Sequence, residues 1–164
     1  MIVRPLAAAD GPAWHRLIVA GAAAFPKGFL QSAEEAAAIP PAQAETVAGG
    51  GAWHGVFAPD DTLIGIAALR RGGASRVAHR ASIGPFCVAA DHHGTGAADR
   101  LMDYLAATAR ARGIAWLDLW VAADNPRAHA FYRRHGFADV ARRPDAVRID
   151  GAPATDILMA RHLE

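Results

Sequence analysis

Apolar and polar positions change period several times along the chain, and the changes predict its elements. Residues 2–6 alternate as a short strand. Asp10 then caps, Pro12 suits a first turn, and Trp14, Leu17, Ile18 and Ala22 recur at helical spacing, so a helix is predicted over 12–23. Phe25-Pro26-Lys27-Gly28-Phe29 breaks it and leaves two aromatics on a loop. Ser32 and Glu35 have the spacing of a capping box, Pro40-Pro41 stops that helix early, and a second short helix over 42–48 ends at three glycines. From Ala52 the period falls to two. Residues 53–58 and 63–69 predict a hairpin, and 77–88 a third strand carrying Pro85. A proline cannot donate to a ladder, so Pro85 predicts an edge, a bulge or a local opening of the sheet.

That strand runs through Asp91-His92-His93-Gly94-Thr95-Gly96 into an amphipathic helix over 95–112, with Leu101, Leu105 and Ala109 on one face and Gly113 at its end. In the next strand, 116–121, Leu117, Leu119 and Val121 share one face, and Trp116, Asp118 and Trp120 the other. Asp124-Asn125-Pro126 starts a further helix with Ala128, Phe131 and Tyr132 on one side and Gly136 at its end. Residues 137–142 and 155–163 are the last strands, joined by a loop holding Asp150-Gly151 and Pro153. Without repeats or linkers, this predicts a single mixed α/β domain over 1–164.

Composition narrows the function. Hydrophobic residues make up 52% and charged residues 20% of a chain of net charge +1, an ordered protein without the basic excess of a nucleic-acid binder. One cysteine, Cys87, excludes an internal disulfide and a cysteine zinc site and reads as a small hydrophobe in a strand. No metal is expected. The longest apolar run, 17–25, is too short to span a membrane, and no targeting segment precedes it, so the reading is cytoplasmic. A strand that turns through glycines into a helix presents main-chain N–H groups to an anion. Two nucleotide motifs do not fit: the turn lacks the Gly-Lys-Ser/Thr ending of a P-loop and the third glycine of the dinucleotide fingerprint.

Val88 followed by His93-Gly94-Thr95-Gly96-Ala97-Ala98 and Leu101-Met102 resembles the acetyl-CoA signature of the GNAT superfamily of N-acetyltransferases, with His93 where that signature has Arg or Gln. Asn125-Pro126-Arg127-Ala128, Phe131-Tyr132 and Gly136-Phe137 resemble its second signature at full spacing. The resemblance implies a central, mostly antiparallel twisted sheet of six to seven strands, splayed between the fourth and fifth, with about four helices. It also implies transfer of an acetyl group from acetyl-CoA, as co-substrate, to a primary amine of a small molecule or protein. His93, Gly94, Thr95, Gly96, Ala97 and Ala98 would then hold the pyrophosphate. The main chain at Phe86, Cys87 and Val88 would pair with the pantetheine arm, Asn125 and Ala128 would meet the arm near the thioester, and Tyr132 would be the general acid.

A base is harder to name. Many relatives use a Glu on the strand before the turn, whereas this strand offers only His79, with a water relay as the other route. Glu34 and Glu35 lie in the segment that the resemblance places beside the acceptor site, although capping and solvation explain them equally well, and Phe25, Phe29 and Trp120 read as core residues or as a lining for the acceptor pocket. The acceptor and the oligomeric state stay open, a homodimer among the options. Two other functions stay open as well: an acyl-CoA-binding module without catalysis, and an unrelated nucleotide-binding domain.

Overall fold

The computed structural model describes residues 1–164. Its elements run β1 (Ile2–Pro5), α1 (Gly11–Ala24), α2 (Ala33–Ala37), α3 (Pro41–Ala48), β2 (Trp53–Phe57), β3 (Leu63–Arg71), β4 (Arg80–Val88), α4 (Ala97–Ala111), β5 (Trp116–Ala122), α5 (Pro126–Arg134), β6 (Ala138–Ile149) and β7 (Ala152–His162). The strands form one sheet in the order β1-β2-β3-β4-β5-β7-β6. Pairing is antiparallel for β1–β2, β2–β3, β5–β7 and β6–β7, and parallel for β4–β5. The mixed, mostly antiparallel class expected from the sequence is the one found, with five helices. None of them is long and apolar enough to cross a membrane.

Residues group into two compact units, Met1–Leu69 with Pro85–Leu105, and Arg70–Gly84 with Ala106–Glu164. In the first, α1 buries Trp14, Leu17, Ile18 and Ala22, and these pack with Leu6, Phe29, Trp53, Phe57 and Ile66 into one core. Trp14 meets Trp53 edge to face with ring centres 5.3 Å apart, a contact worth about 1 kcal/mol beyond its buried area. The capping box of α2 is present: the Glu35 N–H donates to Ser32 Oγ at 3.1 Å, and the Ser32 N–H donates to Glu35 Oε2 at 2.8 Å. Phe29 is a core residue; Phe25, expected there too, is 45% exposed, because the turn after α1 carries it outward.

Asp10, before α1, accepts from Arg4 Nη1 and Nη2 at 2.7 and 2.9 Å and from the Ala7 N–H at 2.7 Å. The bond from Arg4 holds its carboxyl below the usual range, against burial, which acts the other way. A depressed folded value means that its stabilisation is in place above the ordinary carboxylate pKa of about 3.9 and is lost as pH falls through the lower folded value. Urea melts should therefore find Asp10→Asn about 1 kcal/mol less stable at neutral pH, with the gap closing below about pH 4.

In the second unit β5 alternates as expected: Leu117, Leu119 and Val121 are buried, with Leu119 opposite the buried Met159 of β7. Trp120, on the opposite face, is 44% exposed beneath the Arg143 guanidinium, 4.1 Å from its ring centre, so a core role is corrected here as well. The third predicted strand starts later than expected, at Arg80, because Ser75–Val77 winds into a 3-10 turn. His79 thereby falls in a turn rather than in the strand. The last two strands are longer than expected: β6 continues to Ile149 and meets β7 across a tight Asp150-Gly151 turn, so the predicted loop is largely ladder.

The opening predicted from Pro85 is also present. β4 and β5 are in register only at Arg80 with Trp116, Ala81 with Leu117 and Ser82 with Asp118. Two residues on, Gly84 has φ +146°, a backbone that side-chain-bearing residues rarely adopt, and Pro85 brings no N–H. The strands part after Ser82.

Candidate functional site

In the first unit, chemistry concentrates where β4 ends. The Ala89 N–H donates to the Ile64 carbonyl at 2.8 Å, a short 3-10 turn follows, and Gly94 and Gly96 turn the chain into α4 with φ of +76° and +84°. A Cβ on either glycine would find no heavy atom within 4 Å. Backbone conformation demands these glycines, and the space around them is open. The first helical bond of α4 runs from the Arg100 N–H to the Gly96 carbonyl at 3.0 Å, so the Ala97 and Ala98 amides precede the intrahelical ladder, at its electropositive end.

His93 faces back along the chain. Its Nε2 lies 2.9 Å from the Val88 carbonyl and so donates to it, and its ring centre is 6.2 Å from that of Phe25. The histidine that departs from the signature therefore ties the turn to the strand end, and the Thr95 hydroxyl adds a bond to the His92 carbonyl at 2.8 Å. Phe86, Cys87 and Val88 are half-buried. Cys87 Sγ points at α1, donating to the Leu17 carbonyl at 3.7 Å, and burial pushes its thiol up to about 11. It is inert at neutral pH, as expected of a packing residue.

In the second unit the chemistry sits on α5. Asn125 caps this helix: the Ala128 N–H donates to its Oδ1 at 3.0 Å. The carbonyl oxygen of the side chain is thus engaged, while its amide nitrogen keeps its donor role. Asn125→Ala should lower the melting free energy by about 1 kcal/mol, measured by denaturant titration. Tyr132 is buried, its ring 5.3 Å from Phe131 and 5.9 Å from Phe137, and burial lifts its phenol well above the usual value. It holds its proton throughout the neutral range, the state of an acid and not of a base.

One buried group on this helix escaped the sequence reading. His129, one turn before Tyr132, is 8% exposed; Nε2 donates to the Ala122 carbonyl at 3.2 Å, which leaves Nδ1 as a buried acceptor with no protein donor. The i, i+3 spacing from Tyr132 was the available signal. Also unread was the pairing of Arg80 with Asp118, whose two bonds of 2.9 and 2.5 Å depend on the parallel register. His79 is exposed at the closed end of β4 and β5, where its carbonyl accepts from the Ala115 and Trp116 amides, with the three paired residues between it and the point where the strands part.

The sequence model of the acetyltransferase (GNAT) family matches residues 20–137. No curated protein matches the sequence. Among solved structures, yncA from Salmonella typhimurium, with its cofactor acetyl-CoA, is similar at a TM-score of 0.85 and 15% identity, over 100% of this chain and 94% of that one. A GCN5-related N-acetyltransferase from Kribbella flavida is similar at 0.81 and 22% identity, over 99% and 97%. A ribosomal-protein-alanine N-acetyltransferase from Brucella melitensis follows at 0.78 and 18%, over 99% and 100%. At such identities the likeness is one of fold.

Proposed function

We propose, from the premise that this chain belongs to the acetyltransferase (GNAT) family, that residues 1–164 act as a single domain moving an acetyl group from acetyl-CoA to a primary amine. The observation that carries the reading is the glycine turn. Gly94 and Gly96 hold left-handed conformations directly before a fifteen-residue helix, with open space where side chains would stand. Such a turn suits a diphosphate, which needs several N–H donors and no bulk between them and its oxygens.

Acetyl-CoA would supply an activated thioester and that diphosphate handle. In this reading His93 braces the turn through Val88, and the amides from Gly94 to Ala98, with Thr95 among them, take the phosphate charge. The main chain of Phe86, Cys87 and Val88 accompanies the amide-bearing arm, as an added strand would. On α5, Asn125 and Ala128 shape the helix end through their cap, with the Asn125 amide nitrogen as the donor toward the arm. Tyr132 gives its hydroxyl proton to the departing thiolate. His79 is the candidate base from the sequence, but its exposed turn favours the other route, a water relay that carries the proton away from an amine arriving partly deprotonated.

The test is a thiol-release assay with acetyl-CoA across a panel of amines: turnover is expected with some of them, and coenzyme A alone should raise the melting temperature. The exposed position of His79 favours one second reading, acyl-CoA binding without transfer. That reading requires the same rise in melting temperature and no thiol release from any amine.

A further inference from the structure

In the second unit, the registers of the last three strands bring an aromatic ring, a carboxylate and a guanidinium to one place. Trp120 of β5 lies directly opposite Leu158 of β7, Ala122 lies opposite Asp156, and Asp156 in turn lies opposite Arg143 of β6. Directly opposite residues point to the same side, and every second residue along a strand repeats it. Trp120, Leu158, Asp156 and Arg143 therefore share one face, away from the buried row Leu117, Leu119 and Val121. The Arg143 guanidinium lies over the Trp120 ring, 4.1 Å from its centre, and its Nη2 reaches Asp156 Oδ2 at 3.5 Å.

Asp156 is poorly served by this contact. The residue is 6% exposed, its carboxylate meets Arg143 only at the outer limit of a hydrogen bond, and Oδ1 is buried without a donor. Buried carboxylates ordinarily gather several donors, because a charge taken out of water is costly unless it is paired and bonded. The position of Arg143 explains the shortfall. Its Cβ stands beside that of Asp156 in the ladder, so a side chain of arginine's length overshoots its neighbour and comes to rest on Trp120, diagonally across the sheet. Arg143 is exposed on the edge strand, in the last register pair before the irregularity, and these two contacts alone hold its guanidinium in place.

We propose that Trp120 and Asp156 form a binding site for an organic cation, a guanidinium or alkylammonium group, which Arg143 fills from within the chain. A cation that is not tethered to β6 can lie on the indole and still bring two donors to the carboxylate, which Arg143 does not. Arg143 is then an internal competitor, and a bound ligand turns it out to solvent. The site rests on this face of the sheet alone and holds whether or not the chain transfers acetyl groups.

The experiment titrates the full chain with butylguanidinium and with N-butylurea, which keeps the shape and removes the charge. The indole N–H signal of Trp120, assigned by its loss in Trp120→Phe, is followed by heteronuclear NMR. Butylguanidinium should move that signal saturably, and the urea should not. In Arg143→Gln the affinity should rise, by about tenfold for an internal contact held about nine-tenths of the time. Asp156→Asn should instead lose about tenfold to a hundredfold, the scale of hydrogen bonds to a charged group. Opposite signs from the two partners of one ion pair are what competition predicts, and a pair that only stabilises the fold gives neither. An equal response to the two probes, or an Arg143→Gln protein that binds butylguanidinium no better than the unaltered one, would overturn the proposal. Both of those outcomes can be read even where Asp156→Asn does not fold.

Discussion

Tyr132→Phe is expected to lower acetyl transfer by about a hundredfold to ten-thousandfold, the range over which one positioned acid acts, while leaving the fold and coenzyme A binding in place. The ring, packed against Phe131 and Phe137, is retained in phenylalanine, so the packing of α5 persists. What disappears is one proton donor. Burial raises the phenol above its ordinary value of about 10, and the sign of that shift matters. The group stays protonated through neutral and mildly alkaline pH, so the rate of the unaltered protein should show no alkaline fall attributable to Tyr132 below about pH 10. Turnover in Tyr132→Phe equal to that of the unaltered protein would remove Tyr132 from the chemistry, and a lost thermal response to coenzyme A would recast it as a binding or packing residue.

Much of this arrangement was legible in the residues because the periodicity there is strong. Trp14, Leu17, Ile18 and Ala22 mark one helix, the alternation of β5 is clean, and Pro85 signalled the opening that β4 shows after Ser82. The stretches that misled have physical reasons. In β6, Arg143-Pro144-Asp145 is charged and exposed and reads as loop, yet it lies in an edge strand with an irregular register between Arg143 and Val147, and Asp145 has φ +50°. Charge, proline and irregularity are what an edge strand uses to resist further pairing. His79 looked like strand because apolar neighbours surround it, whereas the 3-10 turn at Ser75–Val77 postpones the ladder to Arg80.

The ion pair between β4 and β5 shows a different limit. Arg80 and Asp118 lie 38 residues apart, and Arg80 reaches Asp118 only because the strands are parallel in one particular register. Register is set by packing on both faces of a sheet and cannot be read from one strand's alternation. Single residues at turns and caps were readable, such as Gly94, Gly96 and Asn125, since their roles are local. Groups assembled by non-local pairing were not.

Gly96→Val is expected to abolish most of the thermal stabilisation that coenzyme A confers. At a concentration a hundred times Kd, a ligand adds about 2.7 kcal/mol, which for a chain of this size is a rise of roughly 5–11 °C. Valine at φ +84° carries a left-handed strain of about 1–2 kcal/mol, and its branched side chain enters the open space over the turn, where no protein atom lies within 4 Å. The strain alone would lower the melting temperature of the free protein and leave the ligand-induced rise intact. Gly113→Val supplies the matched control: Gly113 ends α4 at φ +71° with the same open surroundings, so it bears the same conformational cost with no part in anion binding. The expected pattern is a similar loss of intrinsic stability in both variants, with the coenzyme A response kept in Gly113→Val and lost in Gly96→Val. If both keep the response, the diphosphate is not held at this turn, and the assignment of Gly94 to Ala98 fails with it.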